Sequence, residues 1–166
     1  RWDLTVHGRS AHTSNPTLGR NAILDMLEVI KRLQQFEKDL QQRRTSPLTS
    51  GPTLTVTMIQ GGRTRNVVPD GCTIAIDLRI QPGMDGHAII DELLTSLVAV
   101  DAEVTHQPFQ CFAPALTTPI DDPFVDRVVA VCSGVLERPV APTGVPYGSD
   151  AGWIPAGTPA VVLGPG

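Results

Sequence analysis

Four segments of the 166-residue chain carry residue types whose spacing can support chemistry. In Gly8-Arg9-Ser10-Ala11-His12-Thr13-Ser14-Asn15-Pro16, a histidine stands among small residues between a strand pattern and a helix pattern. An imidazole on such a loop meets ligands readily and can donate to a developing oxyanion. The plain alternative is a surface histidine in a turn. Gln60-Gly61-Gly62 leads to Asn66-Val67-Val68-Pro69-Asp70, where the Asn66 amide can meet a carbonyl or carboxylate, or simply satisfy its own turn. No Lys-Ser/Thr pair or helix start follows these glycines, which argues against a phosphate cradle. Asp77-Leu78-Arg79 closes a strand pattern, and Arg79 can either grip a carboxylate bidentately or pair locally with Asp77 or Asp70. Gly144 to Gly152 forms a loop whose backbone amides can hold a carboxylate. A nucleophilic triad of Ser149, His12 and Asp150 is rejected, because Gly148-Ser149-Asp150 lacks the Gly-x-Ser-x-Gly elbow and its strand–turn–helix setting.

Metal chemistry has less support. His7, His12, His87 and His106 show no ligand spacing, HExxH and HxH are absent, and the acids are scattered. Cys72, Cys111 and Cys132 are odd in number and widely spaced without a CxxC, which predicts reduced thiols rather than disulfides or a zinc knuckle. A net charge of −4 gives no reason to expect a nucleic acid or an anionic membrane as partner. No apolar run reaches the length of a membrane span. With aromatics at 4%, a stacking platform for bases or sugars is not expected.

The elements that must position these residues follow from periodicity in a chain of globular composition. Residues 1–7 alternate as a strand, with Trp2, Leu4 and Val6 on one face. A helix is predicted from about Asn21 into the Gln-rich stretch 34–42, with Ile23, Met26, Leu27, Ile30 and Leu33 as its apolar stripe. Two strands follow: 53–60, with Leu54, Val56 and Met58 aligned, and 72–80, with Cys72, Ile74, Ile76, Leu78 and Ile80 aligned. Asp85 is a predicted N-cap for a second helix, and residues 102–109 a fourth strand.

The order βαββαβ predicts an α+β, ferredoxin-like domain over residues 1–108, a four-stranded antiparallel sheet with two helices on one face. Residues 109–166 read as an incomplete α/β segment. Asp122-Pro123 starts a helix with Phe124, Val128, Val131 and Val135 on one face, and Pro159–Leu163 is an apolar strand. The chain opens in strand alternation and closes just after that strand, so both ends are expected to be cut.

Taken in order, the four segments resemble the M20 metallopeptidase and deacylase family, the group of acetylornithine deacetylase, succinyl-diaminopimelate desuccinylase, aminoacylase and carboxypeptidase G2. The resemblance rests on Gly8-Arg9-Ser10-Ala11-His12 with Pro16, Gly19 and Asn21-Ala22, then Gln60-Gly61-Gly62 with Asn66 to Asp70, then Asp77-Leu78-Arg79, then Tyr147-Gly148-Ser149-Asp150-Ala151. It implies a lid domain that forms a homodimer, and two zinc (or cobalt or manganese) ions that activate water against the amide of an N-acyl amino acid or peptide. By the same resemblance His12 stabilises the oxyanion in the partner's active site, Asn66 and Arg79 hold substrate, and Gly148 and Ser149 face it. The family's metal ligands and general base have no counterpart here. No metal is therefore expected on this chain, which alone should be inactive. A cytoplasmic setting, with neither nucleic acid nor membrane as partner, is also implied, and dimerisation is expected through the sheet edge and first helix. The competing reading is a free-standing ferredoxin-like module that binds a small molecule or a partner. The apolar Pro159–Leu163 strand argues against that, because a mere tail would leave it exposed.

Overall fold

The computed structural model describes residues 1–107, 114–155 and 157–164. The described residues form two compact units, one made of residues 1–44, 52–80 and 85–107, the other of 45–51, 81–84, 114–155 and 157–164.

The first unit runs β1 (Trp2–His7), a 3-10 turn at Pro16–Leu18, α1 (Ala22–Gln41), β2 (Thr53–Gly61), β3 (Gly71–Arg79), α2 (Gly86–Leu97) and β4 (Glu103–His106). Its sheet has the order β2-β3-β1-β4, antiparallel throughout. This is the ferredoxin-like α+β fold expected from the element order. The central pair runs from Trp2 opposite Ile76 to His7 opposite Gly71. Trp2, Leu4, Val6, Cys72, Ile74 and Ile76 thereby share one face, and all six are buried. Met26, Val29, Leu33, Phe36 and Leu40 of α1, with Ile90, Leu93 and Leu97 of α2, close the core. Each such side chain contributes about 1.5–3 kcal/mol by leaving water. Around β1 the other sheet face is polar and knits itself together, with Thr5 Oγ1 2.9 Å from Thr73 Oγ1 and His7 Nε2 2.8 Å from Thr105 Oγ1. An antiparallel sheet tolerates water on such a face.

Two expected stripes differ in detail. On α1 the buried residues are Ala22, Met26, Val29, Leu33, Phe36 and Leu40, while Leu27 is exposed. The helix carries two apolar rows, and only the one continuing through Phe36 and Leu40 spans its whole length. In β2 a bulge between Val56 and Met58 sets Met58 opposite Ala75 and Ile59 opposite Ile74. The extra residue shifts the alternation, so Met58 leaves the Leu54 and Val56 face and is 71% exposed. β4 ends at His106, within the expected 102–109, of which residues 108 and 109 lie outside the described residues along with the expected domain boundary.

In the second unit Asp122 Oδ1 accepts from Phe124 N at 2.8 Å and Pro123 opens α3 (Pro123–Leu136), as the sequence predicts. Its buried residue is Val125, whereas Val131 and Val135 are exposed. The strand expected at Pro159–Leu163 does not form among the described residues. Ala160 is buried and its N–H donates to Thr118 Oγ1 at 2.9 Å, but no neighbouring strand offers a ladder, and Val162 and Leu163 stay exposed. Cys72 is a free, buried thiol whose pKa burial pushes up; Cys132 is also free, and Cys111 lies outside the described residues. Among the described residues no helix is long and apolar enough to cross a membrane.

Candidate functional site

The loop after β1 is zipped in place by backbone bonds. Gly8 N donates to Asp70 O at 2.9 Å, and a Cβ on Gly8 would stand 2.3 Å from Arg20 O, so only glycine fits. Arg9 and Arg20 exchange N–H···O bonds of 2.9 and 2.8 Å. Beyond them Val68 N donates to Ala11 O at 2.8 Å and Thr13 N to Asn66 O at 3.0 Å, making the His12–Val67 bridge. The residues Gly8, Gly19 and Val68, which fasten this loop, carry no chemistry of their own.

This bridge brings two of the sequence-predicted residues together. His12 is exposed, and its Nδ1 lies 2.8 Å from Ser14 Oγ and 3.2 Å from the Ser14 N–H. Asn66 is exposed too; its Oδ1 accepts from Thr64 Oγ1 at 3.0 Å. The turn alternative is met for Asn66, whose oxygen accepts within its own turn, and its NH2 group is a donor by its chemistry. His12 and Asn66 thus present side-chain donors from neighbouring positions at one end of the sheet.

Arg79 stands elsewhere. Gly71 at the start of β3 adjoins the histidine loop, and Arg79 ends the same nine-residue strand. At about 3.3 Å per residue the two ends lie roughly 26 Å apart. The Arg79 guanidinium pairs with Asp77, through Nη2 at 2.8 Å and Nε at 3.0 Å, and Arg1 Nε lies 3.8 Å from Asp77 as well. The local ion pair therefore forms, with Arg79 still exposed at the surface.

Gly148 and Ser149 belong to the second unit. Ser149 Oγ accepts from Ala151 N at 3.2 Å and caps the 3-10 turn Asp150–Trp153, a structural use of the hydroxyl. Gly148 is exposed with open space around it, whereas Gly152 in the same loop is sterically required, since a Cβ there would meet Pro114 O at 2.1 Å. Sequence reasoning passed over Ser14 and Thr64. The signal for both was a hydroxyl two residues from a polar side chain within a turn.

A separate open cleft of about 810 Å³ is lined by Arg9, Arg20, Asp25, Arg32, Val100 and Asp101 among others. Its charges are largely answered within it. Arg20 Nε donates to Asp25 Oδ2 at 2.6 Å, Arg20 also contacts Asp101, and the Asp25 bond raises the guanidinium pKa. No cluster of three metal-ligating side chains occurs among the described residues, so they do not fit a metal centre.

The sequence comparisons connect this open antiparallel sheet with two helices on one face to a known family. Residues 1–104 match the peptidase dimerisation domain of the M20 peptidases. The chain belongs to the M20 peptidase family. It is 31% identical to the acetylornithine deacetylase of Vibrio atlanticus over 171 residues, covering 97% of this chain and 43% of that protein. The acetylornithine deacetylase of Proteus mirabilis is likewise 31% identical over 173 residues, with 98% and 42% covered. The chain thus spans less than half the length of these relatives. Among solved structures, aminopeptidase PepT from Bacillus cereus superposes with a TM-score of 0.68 at 18% identity, covering 91% of this chain and 39% of that one. The M20 metallo-carboxypeptidase Sso-CP2 from Sulfolobus solfataricus gives 0.56 at 17% identity, with 87% and 45% covered. At such identities these two attest the fold.

Proposed function

We propose that this chain is the lid and dimerisation portion, with part of the catalytic domain, of a homodimeric amidohydrolase that cleaves the amide bond of an N-acyl amino acid or peptide. The observation that carries the proposal is the His12–Val67 bridge, which holds the backbones of His12 and Asn66 close together on one exposed, fastened loop. Attack on an amide carbonyl moves negative charge onto its oxygen, and a donor already aimed there stabilises the transition state more than the ground state. His12 is given that role in the partner subunit's site, and Asn66 holds substrate beside it. Arg79 takes the substrate carboxylate, exchanging its Asp77 partner for a bidentate one. Its distance from His12 along β3 supports a site built from two subunits, with the arginine of one chain facing the histidine of the other. Gly148 and Ser149 are assigned to the substrate-facing surface. The zinc, cobalt or manganese ions of the family reading have no cradle among the described residues, so their ligands and the general base are assigned to the remainder of the full-length protein.

In that full-length protein, His12→Ala should lower kcat by about 10²–10³-fold, the usual cost of losing one oxyanion donor, with little change in KM. The isolated 166-residue chain should show no amide hydrolysis above a blank. An unchanged kcat in the variant, or turnover by the isolated chain, would overturn the assignment.

A further inference from the structure

We propose that Ser14 is a positioning residue that fixes His12 as the Nε2–H tautomer and holds its ring plane. The inference rests on the reading of His12 as an oxyanion donor. It starts from the Ser14 backbone N–H, which lies 3.2 Å from His12 Nδ1 and can only donate. Nδ1 must therefore present its lone pair, and a neutral imidazole then carries its single proton on Nε2. The Ser14 hydroxyl, 2.8 Å from the same nitrogen, must also act as donor. Two donors from one residue converge on Nδ1 and leave Nε2–H as the outward group.

The backbone holds Ser14 in place independently of these contacts. Asn15 N donates to His12 O at 2.9 Å, closing a turn over His12–Asn15, and Thr13 N donates to Asn66 O at 3.0 Å. The pair of residues flanking Ser14 is thus tied on both sides, and its N–H and hydroxyl are delivered to the ring by the turn. An exposed imidazole otherwise samples both tautomers and several ring orientations. Fixing one before substrate arrives is preorganisation of the kind that makes a donor effective.

The test is a two-bond proton–nitrogen correlation spectrum of the 166-residue chain labelled with ¹⁵N at histidine, recorded above the imidazole titration. His12 is expected as the Nε2–H form, with its Nδ1 shift displaced by accepted hydrogen bonds. Ser14→Ala, which removes the hydroxyl donor and keeps the backbone one, should move His12 part of the way toward the tautomer mixture of free histidine, and Ser14→Thr, which keeps both, should restore the wild-type pattern. His7, His87 and His106 serve as controls that the fold is intact. A wild-type His12 bearing its proton on Nδ1, or a Ser14→Ala spectrum identical to wild type, overturns the proposal. In the full-length protein Ser14→Ala should lower kcat about tenfold at unchanged KM, the rate equivalent of one ordinary hydrogen bond. A tautomer change without any kcat change would uphold the positioning by Ser14 and count instead against His12 as oxyanion donor.

Discussion

Glu92 and Arg43 meet through two contacts of 2.6 Å, one from each terminal guanidinium nitrogen. The Arg43 hydrogen bond holds the Glu92 carboxyl below its ordinary value. A carboxylate whose folded pKa is depressed adds stability above its unfolded pKa, and that stability is lost as pH falls through the folded pKa. Both side chains are about half exposed, so water screens the pair and its worth is under about 1 kcal/mol. Glu92→Gln should therefore lower the urea midpoint slightly at neutral pH, and the gap to wild type should close as the pH is taken below the carboxylate range. A gap that stays constant into acid would assign the effect to something other than this ion pair. The pair was not legible beforehand, because 49 residues separate its members and only the packing of α1 near α2 brings them together. The candidate site was legible where a turn was involved. His12 and Asn66 stood out by residue type and loop context, and the fold joined them. Ser14 did not stand out, because its role depends on a turn closing over His12, whereas the place of Arg79 at the far end of the strand after Asn66 was already set by the alternation of residues 72–80.

At the level of elements, helix starts were the most readable feature. Asn21, Asp85 and Asp122 each place a side-chain oxygen on the N–H two residues ahead, so a cap can be read without tertiary knowledge. Which of two apolar rows on α1 faces the sheet could not be read, since both Leu27 and Val29 lie on rows of helical period. The bulge in β2 was invisible for a related reason: alternation specifies a face only while one residue opposes one residue. The Pro159–Leu163 pattern reads as a buried strand, but a strand is a property of a pair, and no partner lies beside it among the described residues. The histidine loop depends on a contact that is equally non-local, Gly8 packed beneath Arg20 O. Gly8→Ala should cost about 1–3 kcal/mol, in line with overpacking against atoms that cannot yield. Hydrogen exchange should then quicken at Arg9, Thr13, Arg20 and Val68, whose N–H groups make the zipper, with β1 and β3 retaining their protection. A thermal midpoint and exchange pattern equal to wild type would show that the loop relaxes around the methyl group.

For the molecule as a whole, the notable feature is the contrast between the two edges of its sheet. β4 carries Glu103, whereas β2, the other edge, has no charged residue from Thr53 to Gly61. Edge strands normally carry a charge or proline that prevents pairing with another chain, and β2 lacks both. It also exposes Met58 and Ile59, while Leu24 and Leu27 are exposed on α1, the helix whose Ile23 packs close to Gly61 at the end of β2. The polar face of the sheet needs no such cover, since its threonines and His7 bond to one another. An uncharged edge next to an apolar helix row has the composition of a self-complementary two-fold contact, in which each β2 pairs with its twin. The chain should therefore sediment as a dimer, and Ile59→Lys, which places a charge on the edge, should shift it to monomer while leaving the far-ultraviolet circular dichroism unchanged. A wild-type chain that sediments as monomer at every concentration would remove the homodimer from the functional reading. A dimer that survives both Ile59→Lys and Leu27→Glu would place the contact on a surface other than β2 and α1.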